Sequence, residues 1–397
     1  MIRKEPIIIL LLLSFLIAIF LQFDYTVLAY PIILFFYLVY LQRIVKDIPF
    51  LFVMIYMLLS IGMSFIYNET ILVLMDSKIF LILFLYYISF LMGSMNVMRI
   101  HTFVKPVVII SVVMLLSSIF YKFGIEFLNR GDIGGMIVLL LPLYIYLYIG
   151  KTINQKILFM LIGASLISLI LLGGRTSLFS YLIGIILISL NYKKFKLNIN
   201  KSLLGIILLL AIILVIIVIF QRGGSSSFIG DQARYLALFI FVNILENSSI
   251  ENLLFGYGFG NYYDFFIDNM TQQANENLSL IQAHSDQIKR SSSVNHYVSW
   301  GFHNSIIRIF LTLGIFGSLL FYAWQVSLFY IRGDDKMSDE IIILRTILKI
   351  VFILTFILSF SNGIYNINLV GSGIFFIQGH LYGEINFIKK RNFRLLS

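Results

Sequence analysis

WGFHNSIIRIFLTLGIFGSLLFYAW, residues 300–324, is apolar from Ser305 onward and polar at its start. A helix that spans a membrane needs about 20 predominantly apolar residues, and the run that begins at Ser305 is long enough. Its entrance carries His303, Asn304 and Arg308, although polar groups are costly in a lipid environment. The stretch therefore predicts a membrane-spanning helix with a concentration of polar chemistry at one end.

The composition of the whole chain agrees with this prediction. Of its 397 residues, 60% are hydrophobic and 12% are charged, whereas soluble domains carry about 25% charged residues. The chain has no cysteine, which excludes disulfides, thiolate metal sites and a cysteine nucleophile. We therefore expect an all-α fold, a polytopic bundle of membrane helices that forms a single domain over residues 1–397.

Apolar runs of sufficient length predict about twelve transmembrane helices. One long polar segment, residues 221–304, separates the ninth predicted span from the tenth. Within this loop, residues 231–247 start with a possible Asp231 N-cap and carry an apolar stripe, which predicts a helix lying at the membrane interface. The predicted spans are residues 6–22, 27–41, 48–67, 79–97, 103–121, 133–150, 156–172, 177–190, 203–220, 305–331, 345–362 and 367–383.

The distribution of basic residues predicts the orientation of these spans. With the N-terminus in the cytoplasm, 20 of the 29 lysines and arginines fall on the cytoplasmic side and 9 on the outer side, as the positive-inside rule requires. Both termini are then cytoplasmic, and the large loop is extracytoplasmic. The net charge of +10 is largely this topology signal, so it does not indicate a nucleic-acid partner.

Arg175 lies in LLGGRTSLFSY, residues 171–181, where two predicted spans meet with almost no loop. In one interpretation it only anchors a tight turn, in which Gly173 and Gly174 turn the chain and Thr176 caps the next helix. In the other, the guanidinium faces a cavity, where its rigid set of donors suits a phosphate. The residues alone leave both interpretations open.

The large loop carries further cations and aromatic residues. Arg222 and Arg234 begin and end QRGGSSSFIGDQAR, and either contacts lipid headgroups or binds an anionic substrate. FGYGFGNYYDFF, residues 255–266, lacks the complete glycine spacing and the strand–helix context of a nucleotide site. It is better explained as a tight return of the chain to the membrane surface, followed by Tyr262 and Tyr263, which lie in the interface or stack on a sugar.

His303 ends the loop where the chain re-enters the membrane. Partial removal from water favours a neutral imidazole, the form that a general base requires, although a lone interfacial histidine is also often structural. Asn304 is placed to cap the following helix, and Arg308 lies one turn further on, along nearly the same face.

These motifs, in this order, resemble the O-antigen ligase and O-antigen polymerase (Wzy-like) superfamily of bacterial membrane glycosyltransferases. His303-Asn304, followed by nine residues, Gly314, two residues and Gly317, resembles the signature at the end of that family's large periplasmic loop. GGRTS at 173–177 is similar to its short arginine motif, and Arg234 with the downstream FGYGFG is similar to its loop arginine and Gly-x-Gly. His303 is followed by Ser305, Ile306 and Ile307, which are more aliphatic than polar.

The resemblance implies transfer of a glycan from an undecaprenyl-pyrophosphate carrier to an acceptor hydroxyl, without metal or other cofactor. It implies His303 as the base, with Arg175 and Arg234 at the pyrophosphate. Arg222, Arg308 and Asn304 would position carrier or acceptor, and Tyr262, Tyr263 and Trp300 would contact sugar. The expected location is the bacterial inner membrane with a periplasmic active site, and the expected partners are the lipid-linked donor and acceptor, the bilayer, and the flippase and chain-length regulator of the same pathway.

Two functions share this chemistry. A polymerase joins lipid-linked repeat units into a polysaccharide of the O-antigen or capsule type, whereas a ligase moves finished glycan to a lipid A core or a protein. Polymerase is favoured because the loop shows no additional module for docking a large second acceptor. A transporter of lipid-linked glycans is a third hypothesis, from a different class, but the sequence lacks the charged mid-span residues that many transporters carry.

Overall fold

The computed structural model describes ten α-helices. They are α1 (Ile48–Tyr67), α2 (Lys78–Met95), α3 (His101–Lys122), α4 (Arg130–Ile149), α5 (Gln155–Leu172), α6 (Arg175–Leu190), α7 (Ile250–Phe255), α8 (Ser305–Phe329), α9 (Asp339–Ser359) and α10 (Asn368–Leu396). The described residues are 47–67, 73, 78–95, 101–124, 130–173, 175–195, 197, 241–242, 244–259, 305–329, 338–359 and 368–396.

Every regular element in these described ranges is helical, which confirms the predicted all-α class. Four helices are long and apolar enough to cross a membrane, and their apolar stretches are Ile48–Ile66, Gln155–Leu172, Ile309–Leu328 and Asp339–Ser359. Shorter apolar stretches lie in α3, α4 and α6. The protein is thus a helical membrane protein.

Nine of the predicted spans correspond to described helices. The agreement is closest for α1, predicted over 48–67 and observed over Ile48–Tyr67. The largest difference is in α10, which continues to Leu396 instead of ending near residue 383. The predicted spans 6–22, 27–41 and 203–220 lie outside the described residues, so the count of twelve remains a prediction.

The chain divides into two compact units. Unit 1 comprises residues 1–33, 83–220 and 328–397, and unit 2 comprises residues 34–82 and 221–327. In unit 1, α4 packs against α3, α5, α6, α9 and α10. Val138, Leu141, Tyr144 and Leu147 on α4 are fully buried, as expected of a helix that is apolar on every side and surrounded by other helices.

Within unit 1, α2 and α10 approach closely because glycines line their contact. A Cβ atom at Gly93 would overlap the backbone carbonyl of Phe376, and one at Gly379 would overlap the carbonyl of Phe90. Gly383, one turn after Gly379, faces the backbone of α2 in the same way. Small residues four positions apart allow membrane helices to bring their backbones together.

A neighbouring face of α10 carries a buried chain of polar side chains. The Tyr146 hydroxyl on α4 donates a hydrogen bond to Glu384 Oε2, and its oxygen lies 3.3 Å from His380 Nε2. Tyr146 thus lies between the two side chains of α10. His380 is buried and Glu384 is partly exposed, so α10 joins α4 through side chains and α2 through backbone contact.

Candidate functional site: a broken helix and the loop that pairs with it

The helix that follows His303 is broken. Helix α8 runs from Ser305 to Phe329, but Gly314 has φ 66° and ψ −170°, which is far from helical geometry. The break separates an N-terminal half, Ser305–Leu313, from a C-terminal half that begins at Ile315. Because an α-helix bonds each N–H to the carbonyl four residues earlier, this geometry leaves carbonyls near the break without helical partners.

The loop after α7 supplies partners for two of these carbonyls. The Tyr257 N–H donates to the Leu311 carbonyl at 2.8 Å, and the Gly258 N–H donates to the Thr312 carbonyl at 3.2 Å. Both acceptors lie within the apolar stretch Ile309–Leu328. Irregular backbone at membrane depth is tolerated only where it is buried in protein or lines an aqueous cavity, and here it is paired with protein.

The sequence predicts that this segment makes a tight return to the membrane surface. In unit 2 the loop pairs with backbone groups of Leu311 and Thr312, inside an apolar stretch of α8. It runs from Tyr257 to Phe259, whose N–H donates to Ser64 Oγ on α1 at 2.8 Å. Phe255 lies beside Phe316 of α8, with 5.6 Å between the ring centroids. The loop is therefore held by both α1 and α8.

Tyr56 on α1 also contacts α8 at the break. Its hydroxyl donates to the Leu313 carbonyl at 2.7 Å, and its ring lies where a Cβ atom at Gly317 would be. Tyr56 thus contacts α8 on both sides of Gly314, through its hydroxyl at Leu313 and its ring at Gly317.

Two glycines make the contact between loop and helix possible. A Cβ atom at Gly256 would overlap the Thr312 carbonyl and the Gly314 nitrogen, and one at Gly314 would overlap Leu254 and Gly256. Both residues also have positive φ, at 82° and 66°, a conformation that strains any residue with a Cβ. Gly256 and Gly314 are therefore needed for conformation and for space.

Arg175 lies at a tight connection between two helices of unit 1, as predicted. Helix α5 ends at Leu172, and Gly173 follows with φ 62°, its N–H donating to the carbonyls of Leu169 and Ile170. Helix α6 begins at Arg175. Thr176 therefore lies in the first turn of α6, and the prediction that it caps this helix is wrong.

The remaining predicted site residues are described only in part or not at all. Arg308 lies in the first turns of α8, and its side chain is outside the description, as is that of Arg175. Helix α8 begins at Ser305, and the predicted cap at Asn304 stays a prediction. His303, Asn304, Arg222, Arg234, Tyr262, Tyr263 and Trp300 lie outside the described residues, as does most of the predicted interfacial helix 231–247.

Other polar groups bear on what the site can bind. Among the described residues, no three His, Asp or Glu side chains converge in a way that could hold a metal ion. Thr312 Oγ1 and Ser318 Oγ, on either side of the break, are buried and have no hydrogen-bond partner. Hydroxyls buried in this way can form a hydrogen bond with a water molecule or with a polar group of a ligand.

Sequence reasoning overlooked Tyr56 and Ser64. Both lie in an apolar run that reads as an ordinary lipid-facing span, IPFLFVMIYMLLSIGMSFIY. A signal was nevertheless present, because the glycines in FGYGFG and at Gly314 imply close backbone contact, and buried backbone groups require hydrogen-bond partners. Hydroxyl-bearing residues of neighbouring helices are the natural candidates.

The comparisons with known proteins identify no family. No protein-family model, curated protein or solved structure matches the chain.

Proposed function

We propose that the protein is a membrane glycosyltransferase that polymerises oligosaccharide repeat units carried on undecaprenyl pyrophosphate. Its donor and its acceptor are both lipid-linked, and the reaction takes place on the periplasmic face of the bacterial inner membrane. His303, Arg175 and Arg234 are the proposed catalytic residues. No metal or other cofactor takes part in the proposed step.

One structural observation carries this proposal. The resemblance to the O-antigen ligase and polymerase superfamily rests on motifs that are distant in sequence, including FGYGFG and the glycines that follow His303. In unit 2 these two motifs are in direct contact, because Tyr257 and Gly258 pair with Leu311 and Thr312. Gly256 also packs against Gly314. Their pairing supports treating them as parts of one site.

The proposed step is a direct displacement at the anomeric carbon of the donor. His303 accepts the proton of an acceptor sugar hydroxyl while the hydroxyl oxygen forms the new glycosidic bond. The bond between the anomeric carbon and the pyrophosphate oxygen breaks, and undecaprenyl pyrophosphate leaves with the electron pair. Arg175 and Arg234 stabilise the charge that develops on this leaving group, an effect of several kcal/mol in a cleft of low dielectric.

Arg222, Arg308 and Asn304 are proposed to position carrier or acceptor, and Tyr262, Tyr263 and Trp300 to contact sugar. The pathway's flippase would deliver the donor, and a chain-length regulator would act on the product. The ligase hypothesis uses the same residues with a lipid A core or a protein as the acceptor.

The broken helix α8 bears on the transporter hypothesis, because transporters often bind substrate at discontinuous helices. Here, however, the carbonyls of Leu311, Thr312 and Leu313 already accept hydrogen bonds from groups of the protein. Since a substrate or ion site needs such groups to be available, the pairing favours a structural break over a transport site.

The test is to replace His303 or Arg175 with alanine in a host that makes the cognate glycan. His101→Ala and Arg99→Ala, both on the predicted cytoplasmic side, are the matched controls. For a polymerase, the His303 and Arg175 variants leave single repeat units on the surface lipid, whereas the controls retain long chains. The products are resolved by gel electrophoresis of the extracted glycolipid.

The other hypotheses predict different products or different locations of the lipid-linked repeat units. A ligase variant accumulates long chains on undecaprenyl pyrophosphate, and a transporter variant leaves repeat units on the inner leaflet. A normal ladder of long chains in both alanine variants contradicts the assignment of His303 and Arg175.

A further inference from the structure

Two segments at one end of unit 1 carry exposed lysines. Helices α5 and α6 are joined by the tight connection at Gly173 and pack against each other, so the start of α5 and the end of α6 lie at the same end of the unit. Lys151 lies in the turn before α5 and Lys156 in the first turn of α5, whereas Lys193 and Lys194 lie in the turn that follows α6. All four side chains are exposed.

The positive charge of these two segments is not balanced by neighbouring carboxylates. Neither GKTINQK, residues 150–156, nor LNYKKFKL, residues 190–197, contains an aspartate or a glutamate. Within the part of the chain that the structure describes, none of the four lysines takes part in an ion pair. Like charges on one surface repel each other and attract anions, so this end of unit 1 favours an anionic partner.

Buried apolar residues hold both segments against the bundle. Ile153 in the turn before α5 is 7% exposed, and Phe195 and Leu197 in the turn after α6 are 1% and 6% exposed. Main-chain hydrogen bonds close the second turn, from the Phe195 N–H to the Asn191 carbonyl and from the Leu197 N–H to the Tyr192 carbonyl, both at 3.1 Å. The lysines are therefore held at the edge of the helix bundle.

The lysines lie where exposed apolar faces of α5 and α6 end. The apolar stretch Gln155–Leu172 begins one residue before Lys156, and Met160, one turn further along the same face, is 73% exposed. Leu190, the last residue of α6, is 75% exposed and precedes Lys193 by three residues. A cation next to an exposed apolar face matches a phospholipid, because the acyl chains contact the helix while the phosphate lies at the membrane interface.

We propose that these two lysine-bearing segments bind the phosphodiester headgroups of anionic phospholipids, while the adjoining faces of α5 and α6 contact the acyl chains. A soluble polyanion shares the phosphate chemistry but has no use for an apolar face, so the position of the lysines favours the lipid. The segments lie at the end of α6 opposite Arg175. The inference is therefore independent of the proposed glycan transfer.

The experiment titrates the full-length protein, purified in detergent, with phosphatidylglycerol or phosphatidylcholine and measures bound lipid by native mass spectrometry. The quadruple variant Lys151→Gln/Lys156→Gln/Lys193→Gln/Lys194→Gln removes the four charges. The matched control is Lys122→Gln, which removes an exposed lysine at the other end of unit 1, where α3 ends. The melting temperature verifies that both variants are folded.

We expect the quadruple variant to bind phosphatidylglycerol more weakly by about fivefold for each lysine lost at a headgroup, hence by about 25-fold for the two lysines of each segment. Its affinity for phosphatidylcholine and both affinities of the Lys122→Gln control should stay at the wild-type values. In the wild-type protein, added salt should weaken binding of phosphatidylglycerol, because salt screens exposed charges.

Three outcomes overturn the inference, and they differ from one another. If the wild-type protein binds the two lipids equally, or if salt leaves its binding of phosphatidylglycerol unchanged, the protein does not select anionic headgroups. If the folded quadruple variant keeps the wild-type affinity for phosphatidylglycerol, the four lysines do not form the site. If soluble glycerol phosphate displaces phosphatidylglycerol with equal affinity, the lysines bind a free phosphate and not a lipid.

Discussion

Two regions of the molecule bring helices unusually close, and they use glycine differently. In unit 1, Gly379 and Gly93 lie within regular helices and provide space only, so that α10 lies directly on α2. In unit 2, Gly256 and Gly314 have positive φ as well as close neighbours. Packing of intact helices requires only a small side chain, whereas pairing a loop with a broken helix requires a backbone conformation that glycine alone adopts easily.

The two regions also satisfy buried polar groups by different means. At the break in α8, the acceptors are main-chain carbonyls, and their donors are two loop N–H groups and the Tyr56 hydroxyl. Between α4 and α10, the polar groups are side chains, and Tyr146 lies between His380 and Glu384. A helix that is broken within an apolar stretch therefore leaves main-chain carbonyls that need hydrogen-bond partners, whereas the carbonyls inside an intact helix are already paired.

The largest effect is expected from Gly256→Ala. The added methyl group meets the backbone of α8, which costs about 1–3 kcal/mol as overpacking, and the backbone conformation, φ 82° and ψ 176°, adds about 1–3 kcal/mol of strain. We expect most of the folded protein to be lost, as measured by size-exclusion chromatography and thermal unfolding in detergent. Gly62→Ala, with no atom within 4 Å of the new Cβ, is the control and should fold normally; equal behaviour of the two variants would contradict the account.

A smaller effect is expected from Gly379→Ala in unit 1. Here only space is lost, at a cost of about 1–3 kcal/mol, because a regular helix accommodates alanine without strain. The melting temperature should fall by less than it does for Gly256→Ala. Gly163→Ala on α5, where a Cβ meets no neighbour, is the control. If Gly379→Ala destabilised the protein more than Gly256→Ala, the proposed difference between the two regions would be wrong.

A cross-link between α1 and the loop tests the same docking by its formation and not by stability, because Gly258 has φ 75° and any side chain there is strained. A Cβ at Gly258 would lie 3.8 Å from that of Ser64, close to the mean separation of about 3.8 Å in disulfides. Because the chain has no cysteine, the double variant Ser64→Cys/Gly258→Cys forms no competing disulfide. Peptide mass spectrometry should detect the cross-link, and Ser60→Cys/Gly258→Cys, one helical turn away, should not form it.

Failure of the first pair to cross-link under oxidation would contradict the docking of the loop against α1. Formation of both cross-links in equal yield would indicate a loop that slides along this helix, which is incompatible with fixed pairing to α8.

The helices could be predicted from the sequence because their signal is local. Apolar runs of sufficient length located α1, α5 and α8 to within a few residues, and Gly173 marked the tight turn before Arg175. The break at Gly314 was not predicted, because the run around it remains apolar and glycine is common in membrane helices. The break depends on Tyr257, Gly258 and Tyr56, which are distant in sequence, so no local pattern reveals it.

The same limit applies to the candidate site. His303, Arg175 and Arg234 could be proposed because charged or titratable residues stand out at the ends of apolar runs. Tyr56 could not, since tyrosine is ordinary in this chain, which contains 23 of them. Its contact with α8 follows only from the fold, which brings its hydroxyl to the Leu313 carbonyl.

The most direct test of the central claim is the product formed by the purified protein from an undecaprenyl-pyrophosphate-linked repeat unit. We predict that the reconstituted wild-type protein converts single repeats into dimers and longer chains with release of undecaprenyl pyrophosphate, and that His303→Ala forms neither product. Mass spectrometry of the lipid-linked glycans measures both. Elongation by His303→Ala at the wild-type rate, or no elongation by the wild-type protein, would contradict the claim.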